Sequence, residues 1–152
     1  MSLPEVCVVY LLRDGGGGRE VLLGVKKTGL GLGKVVGPGG KLHEGESPVA
    51  AAGREVLEET GLTVIDLRPA GVIDYFFPTR PAWSQRSHVF VCEAWHGVVT
   101  ESDELAPAWM PVADVPYDRM WDDARRWLPE VLRGGTVASS FTFGPDLATV
   151  VE

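Results

Sequence analysis

The chain has 152 residues, 45% of them apolar, which supports one folded domain over residues 1–152 and excludes two domains of ordinary size. Its 21 acidic and 14 basic residues give a formal net charge of −7, which would repel a nucleic-acid backbone or an anionic membrane surface. We therefore expect neither polymeric nucleic acid nor a membrane as a partner.

The N-terminal residues MSLPEVCVVYLL lack the basic start and the cleavage site of a secretory signal. No apolar stretch approaches the roughly 18 residues of a membrane span, so we expect a cytoplasmic protein. Cys7 and Cys92 each lie in an apolar, strand-like run. We predict that both are buried, reduced thiols, since a reducing compartment disfavours a disulfide.

The first elements are predicted to be two strands, over residues 5–12 and 20–27, joined by the flexible loop RDGGGG. A second glycine-rich stretch, TGLGLGKVVGPGGK at 28–41, does not match a phosphate-binding Walker loop, because Lys41 is followed by leucine and not by serine or threonine. We interpret its first part, residues 29–33, as an ordinary loop.

A helix is predicted over 47–60, with Ser47 as its N-cap, Pro48 at its first position and Gly61 closing its end. Strands follow at 63–77 and 87–99, separated by the polar loop 78–86. Residues 112–114 form a short turn. The last elements are a helix over 122–132, presenting Trp127 and Leu128 to the core, and a strand over 137–143.

Three glutamates, Glu55, Glu58 and Glu59, stand at positions i, i+3 and i+4 of the first helix and therefore project towards a common point. We predict that a different face, formed by residues 49, 52 and 56, packs on the sheet while the glutamates point outward.

A solvated acidic face is the common alternative for such a run of charges. This helix, however, has only Arg54 among its acidic residues, and the GPGGK loop precedes it. A cluster of oxygen ligands without histidine or cysteine suits a hard divalent cation, Mg²⁺ or Mn²⁺, which typically also binds phosphate oxygens. The sequence therefore favours a metal and phosphate site.

The same segment matches a family pattern at each of its fixed positions. The Nudix box requires a glycine, a glutamate, Arg-Glu, an aliphatic residue, Glu-Glu, glycine and an aliphatic residue at set spacings. These places are filled by Gly40, Glu46, Arg54, Glu55, Val56, Glu58, Glu59, Gly61 and Leu62. The chain thus resembles the Nudix hydrolases, which cleave a nucleoside diphosphate linked to another group.

This resemblance implies an α/β fold in which a mixed β-sheet lies between α-helices. It implies that the three box glutamates Glu55, Glu58 and Glu59 bind the divalent metal, that one of them serves as the base or orients water, and that the carbonyl of Gly39 or of its neighbour adds a ligand.

The resemblance also gives roles to two other residues of the box. Arg54 would hold the glutamates by charge-assisted hydrogen bonds, and Glu46 would have an electrostatic or supporting part.

The stretches VLLGVKKTGLGLGK, TESDELAPAWMPVADVP and MWDDARRWLPEVL resemble the MutT-like branch that hydrolyses oxidised purine nucleoside triphosphates such as 8-oxo-dGTP. That branch implies a further glutamate at the metal site, for which Glu101 is the first choice and Glu104 the second. It leaves two interpretations of Lys26, which either contacts a phosphate or is an exposed lysine at a strand end.

Two departures from this branch affect the expected base pocket. Val36 occupies the place of an asparagine, and the places of two adjacent aspartates fall on Asp123 and Ala124, unless Asp122 and Asp123 serve after a shift of one residue. With fewer polar partners for the base edge, we expect looser base choice.

Trp121 and Tyr75 are candidates for stacking on a base, and their alternative is a place in the core. The leading hypothesis is a Mg²⁺-dependent pyrophosphohydrolase that converts a nucleoside triphosphate to the monophosphate and pyrophosphate, acting as a monomer or homodimer. The alternatives are hydrolysis of a nucleotide sugar or dinucleotide, and a ligand-sensing domain without catalysis. The last is disfavoured because every box glutamate is present.

Overall fold

The computed structural model describes residues 2–152 and contains ten strands, two α-helices and three single-turn 3₁₀ helices in that range, one of them at the predicted turn 112–114. The strands are β1 (Glu5–Gly15), β2 (Gly18–Lys26), β3 (Val35–Val36), β4 (Gly39–Lys41), β5 (Thr63–Ile65), β6 (Arg68–Phe76), β7 (Gln85–Cys92), β8 (Ala94–His96), β9 (Leu105–Pro111) and β10 (Val137–Thr142). The helices are α1 (Pro48–Thr60) and α2 (Ala124–Leu132).

Eight strands form one sheet in the order β10-β6-β7-β1-β2-β3, with β4 paired to β1 and β9 paired to β2. The pairs β1/β7 and β6/β10 are parallel, whereas the other pairs of this sheet are antiparallel. Strands β5 and β8 form a separate antiparallel pair. The large sheet is therefore mixed, as predicted.

Strand β1 shows how the sheet is covered on both faces, because successive side chains of a strand point to opposite sides. Tyr10 and Leu12 belong to one buried cluster together with residues of α2, including Leu128. Val9 and Leu11 belong to the other cluster, which contains residues of α1. The sheet thus lies between the two helices, which confirms the predicted α/β architecture.

Several boundaries differ from those predicted. The strand expected at 63–77 is divided between β5 and β6, and the break includes Asp66, whose φ of 56° lies in the left-handed region that extended chain avoids. The strand expected at 87–99 is likewise divided between β7 and β8. Strands β3, β4 and β9 were not predicted. They contain prolines and glycines or are only two or three residues long, so their local signal is weak.

Cys7 and Cys92 are buried free thiols, as predicted, and Trp127 and Leu128 reach the core from α2. Within residues 2–152, neither helix is long and apolar enough to cross a membrane.

Candidate active site

Helix α1 carries the acidic motif, and both of its ends follow from the residues that the sequence places there. The hydroxyl of Ser47 accepts a hydrogen bond from the N–H of Ala50 at 3.2 Å, and Pro48 takes the first helical position. Gly61 adopts the left-handed conformation with φ 78°, and its N–H donates to the carbonyl of Leu57 at 3.0 Å. These caps fix the first and last residues of α1, the helix that carries the glutamates.

The face of α1 that packs on the sheet agrees only in part with the one predicted, since Ala52 and Val56 are buried as expected. Val49 was expected to be buried and is 49% exposed, whereas Glu55 and Glu59 were expected to point outward and are only 7% and 3% exposed. The buried stripe includes residues 52, 55, 56 and 59, which share one side of a helix. Tertiary packing therefore buries two carboxylates beside the apolar contacts of Ala52 and Val56.

Two glycines of β4 allow these carboxylates to approach the sheet. The N–H of Gly39 donates to Oε1 of Glu59 at 2.9 Å, and a Cβ on Gly39 would lie 2.0 Å from the carbonyl oxygen of Cys7. A Cβ on Gly40 would lie 2.6 Å from the carboxyl carbon of Glu55. Any larger residue at either position would displace the strand pairing or a carboxylate.

Arg54 is the cation within the acidic motif. Its Nε and Nη2 both donate to the carboxylate of Glu46 at 2.8 Å, and its Nη1 donates to Oε1 of Glu55 at 2.9 Å. The hydrogen bonds from Arg54 lower the pKa of Glu46 to about 2. Glu58 is 53% exposed and lies 3.3 Å from Nη1 of Arg54. Arg54 thus orients Glu46 and Glu55, whereas Glu58 lies at the solvent-exposed edge of the acidic motif.

A third carboxylate joins the buried pair from a distant part of the chain. Glu55, Glu59 and Glu104 each offer an oxygen, and these oxygens lie within 4.8 Å of one another. Glu101, the first choice for this position, is not in the cluster, because its carboxylate accepts a hydrogen bond from the ammonium of Lys27. The structure therefore places Glu104, the second choice, beside the box glutamates.

The surroundings of this cluster fit a divalent cation. Burial raises the pKa of Glu55 and of Glu59, and the neighbouring carboxylates of the cluster raise both further. The guanidinium of Arg54 opposes the shift at Glu55, and the N–H of Gly39 opposes it at Glu59. Carboxylates that are buried close together are destabilised as anions unless a cation joins them. The donor set consists of oxygens, which Mg²⁺ and Mn²⁺ prefer.

Lys26 lies at the end of β2 between this cluster and a group of aromatic residues. Its charge weakly opposes the rise in the pKa of Glu59 that burial causes. A Cβ on Gly31 would lie 3.6 Å from Cδ of Lys26 and 3.1 Å from Nε1 of Trp121. Gly31 has a φ of 87°, so it allows both a left-handed turn and the close approach to Trp121. Lys26 therefore lies near both Trp121 and the carboxylate cluster.

Trp121 is half-buried and packs edge-to-face against Phe77, Trp83 and Phe143, with ring centroids 5.7 to 6.5 Å apart. The ammonium of Lys34 lies 4.9 Å from the centroid of the Trp121 ring. Trp121 is thus both part of an aromatic cluster and partly accessible, which permits stacking with a flat ligand.

Asp123 is 1% exposed, and its Oδ2 accepts hydrogen bonds from the hydroxyl of Tyr75 and from Nε1 of Trp127, both at 2.7 Å. Its Oδ1 is buried and has no hydrogen-bond partner within residues 2–152. Burial raises the pKa of Asp123 despite these two donors. Tyr75 packs its ring against Phe141 at 6.2 Å. Tyr75 therefore supports Asp123, and since it is only half-buried, the stacking role considered for it stays a prediction.

The two neighbouring aspartates, Asp122 and Asp123, have different surroundings. Oδ2 of Asp122 accepts a hydrogen bond from the N–H of Val150 at 2.9 Å, and its Oδ1 lies 3.7 Å from Nε of Arg125. Asp122 is thus engaged with the C-terminal segment, and the buried carboxylate is that of Asp123, followed by Ala124. Val36 is half-buried in β3, opposite Gly24.

Sequence reasoning did not single out Trp83 or Phe143, which complete the aromatic cluster around Trp121. Trp83 lies in the loop between β6 and β7, and Phe143 directly follows β10. An aromatic residue in a polar loop is a weak signal by itself. The role of Trp83 becomes visible only in the sheet, where the last residues of β6 and β10 lie beside the first residue of β7.

Comparisons with known proteins agree with this geometry. The NUDIX domain model matches residues 1–131. The chain is 38% identical over 125 residues to the oxidized purine nucleoside triphosphate hydrolase of Mus musculus, covering 82% of this chain and 80% of that protein. It is 40% identical over 124 residues to the protein of the same name from Danio rerio, covering 82% and 79% respectively.

Among solved structures, a MutT protein from Bacillus halodurans superposes with a TM-score of 0.83 at 24% identity, covering 99% of this chain and 95% of that one. The NUDIX domain of NrtR from Shewanella oneidensis, solved in complex with ADP ribose, superposes with a TM-score of 0.73 at 17% identity, covering 88% of both chains. These two structures show that the fold is shared. With the domain match and the curated relatives, the chain belongs to the Nudix hydrolase family.

Proposed function

We propose that this Nudix hydrolase is a Mg²⁺-dependent pyrophosphohydrolase that cleaves nucleoside triphosphates, oxidised purines of the 8-oxo-dGTP type among them, to the nucleoside monophosphate and pyrophosphate. The observation that carries the proposal is the cluster of Glu55, Glu59 and Glu104, with Lys26 and the partly exposed ring of Trp121 nearby. The relatives at 38% and 40% identity, which carry the name of such a hydrolase, support the substrate class.

In this proposal Glu55, Glu59 and Glu104 hold the metal ion, with Glu58 adding a ligand from the exposed edge and Gly39 a carbonyl. When bound, Mg²⁺ supplies positive charge that binds the phosphates of an anionic substrate and lowers the pKa of water. Mn²⁺ has the same preference for oxygen ligands and should substitute for it. The acidic chain, with a net charge of −7, needs such a cation to bind a triphosphate.

The other residues of the motif orient the reacting groups. Arg54 holds Glu46 and Glu55 through hydrogen bonds of 2.8 and 2.9 Å, so the carboxylates are positioned before substrate arrives. Lys26 contacts the phosphates between the two halves of the site. Water attacks at the α–β anhydride, one glutamate of the cluster accepts its proton, and the bond between the α- and β-phosphates breaks to release pyrophosphate.

The base pocket is expected to be less selective than that of the oxidised-purine branch. Asp123 offers a buried oxygen without a partner, whereas Val36 and Ala124 can form no side-chain hydrogen bond. Stacking on Trp121 tolerates any base. We therefore propose hydrolysis of several nucleoside triphosphates, with at most a moderate preference for an 8-oxo-purine.

The test is a panel of nucleoside triphosphates, ADP ribose and a dinucleotide, incubated with purified protein and Mg²⁺, in which pyrophosphate and phosphate are measured separately. We expect pyrophosphate and monophosphate from the triphosphates, no reaction with chelator, and recovery on adding Mn²⁺. Turnover of ADP ribose or the dinucleotide alone would refute the substrate class. A preference above about a thousandfold for 8-oxo-dGTP over dGTP, roughly 4 kcal/mol, would refute the proposed loose base choice.

A further inference from the structure

The segment that carries Glu104 lies outside the regular elements, between β8 and β9, and is held at both ends. The N–H of Thr100 donates to the carbonyl of Thr60, the last residue of α1, at 2.8 Å. At the other end the hydroxyl of Ser102 accepts hydrogen bonds from the N–H groups of Glu104 and Leu105, at 3.3 and 3.1 Å. These contacts shape the turn but do not by themselves attach it to β2.

Lys27 makes that attachment. Its ammonium donates to the carboxylate of Glu101 and, at 2.8 Å, to the carbonyl of Ser102. Its backbone N–H donates to the carbonyl of Glu104 at 2.9 Å. Lys27 directly follows the last register pair between β2 and β9, in which Lys26 faces Leu105. Lys27 therefore contacts three residues of the segment from 101 to 104: Glu101 and Ser102 through its ammonium, and Glu104 through its backbone N–H.

The position of Glu104 has an electrostatic cost that needs such an attachment. Its carboxylate is exposed, and one of its oxygens lies within 4.8 Å of an oxygen of each of the buried carboxyl groups of Glu55 and Glu59. When all three are ionised, as the binding of a cation requires, like charges this close repel. In the absence of a cation, Glu104 is the member of the cluster best able to move away, because it alone is on an exposed turn. The contacts of Lys27 oppose that movement.

We propose that Lys27, together with Glu101, is a positioning residue that holds the segment 101–104 so that Glu104 stays beside Glu55 and Glu59 before an ion binds. This inference rests on the divalent-cation site of the proposed function. It also gives Glu101 a role that differs from direct metal binding: Glu101 anchors the ammonium of Lys27.

The sign of the effect distinguishes positioning from simple charge. If Lys27 acted only as a nearby positive charge, its removal would strengthen the binding of a cation. If its ammonium positions Glu104, its removal weakens binding, because the contacts to Glu101 and Ser102 are lost and only the backbone hydrogen bond from residue 27 to Glu104 remains. Supporting residues around metal ligands typically contribute about 10–100-fold in affinity. We expect about tenfold weaker binding for Lys27→Met.

The experiment titrates the full chain with Mn²⁺ alone and measures free Mn²⁺ by electron paramagnetic resonance. The variants are Lys27→Met, Lys27→Arg, Lys41→Met, Glu104→Gln and the double variant Lys27→Met/Glu104→Gln. Lys41 is an exposed lysine on β4, so Lys41→Met removes the same charge without touching the segment. Urea unfolding in chelator verifies that each variant is folded.

We expect weaker binding for Lys27→Met, recovery to within about threefold of wild type for Lys27→Arg, which keeps the charge and its donors, and unchanged or tighter binding for Lys41→Met. The double variant should bind no more weakly than Glu104→Gln alone, since both changes remove the same ligand.

Two groups of outcomes separate this inference from the proposed function. Lys27→Met binding as tightly as wild type would overturn the positioning role. An additive loss in the double variant, or a Glu104→Gln variant that binds normally, would do the same. Wild-type protein that binds no Mn²⁺ would instead refute the metal site of the proposed function.

Discussion

Gly40→Ala is expected to disrupt the candidate metal site with a single methyl group. The added Cβ would lie 2.6 Å from the carboxyl carbon of Glu55 and 2.7 and 2.8 Å from its oxygens. Since non-bonded heavy atoms pack best at roughly 3.5 Å or more, the carboxylate must retreat by about 0.7–0.9 Å. Glu55 is buried and held by Arg54 at 2.9 Å, so it has little room to do so.

Two magnitudes follow from this displacement. Overpacking of this kind costs about 1–3 kcal/mol, which in a chain of this length lowers Tm by about 2–4 °C per kcal/mol. Metal sites tolerate shifts in ligand distance of only about 0.2 Å, so Glu55 should no longer bind the ion and Mn²⁺ affinity should fall at least about tenfold.

Urea unfolding in chelator and Mn²⁺ titration measure the two effects on the same protein. The matched control is Gly16→Ala in the turn between β1 and β2, where an added Cβ would have no neighbour within 4 Å and no loss of stability or affinity is expected. Gly40→Ala protein that unfolds at the wild-type urea concentration and binds Mn²⁺ within twofold of wild type would refute the packing argument.

Three further predictions test other parts of the site. Glu59→Gln should lower turnover at saturating Mg²⁺ by at least about a hundredfold, and Glu58→Gln by less, because Glu59 is a buried ligand and Glu58 an exposed one. Equal losses in steady-state assays would contradict this ranking of the two ligands by burial. Trp121→Ala should raise KM for every nucleoside triphosphate tested, because stacking does not depend on the base, and a rise for a single base would contradict the stacking role. Asp123→Asn should become more stable relative to wild type as pH rises. Burial raises the pKa of Asp123 in the folded protein above its usual value of 3.8, so the folded wild type keeps this proton to higher pH than the unfolded chain. The wild type therefore loses stability from about pH 4 through the folded pKa, whereas asparagine does not titrate. Urea unfolding of both proteins between pH 4 and 8 measures the difference, and a constant difference would show that burial does not shift this group.

The parts of the site that the sequence predicted well depend on short-range signals. Helix α1 is delimited by Ser47, Pro48 and Gly61, which act through hydrogen bonds and backbone conformation within one turn. The box itself lies within 23 residues, from Gly40 to Leu62, so its pattern and the Nudix family could be identified without any knowledge of tertiary contacts. The mixed sheet between two helices followed from that resemblance.

Tertiary structure decided which face of α1 packs on the sheet. Val49 and Val56 are the same residue type on the same helix, yet Val49 is exposed and Val56 is buried. The side of α1 that faces the sheet depends on where β1 and β4 lie, and β4 is three residues long with little strand signal. The burial of Glu55 and Glu59 could therefore not be deduced from helical spacing.

Long-range pairing likewise decided which distant residues complete the site. The register of β2 against β9 places Lys27 beside the segment 101–104, so Glu101 is held by Lys27 while Glu104 reaches the carboxylates. The resemblance to the MutT-like branch narrowed the choice to these two glutamates, because it implies one glutamate of this acidic run at the metal site. It cannot show which one points towards a helix some forty residues earlier, since that depends on the free energy of strand pairing and packing across the whole sheet.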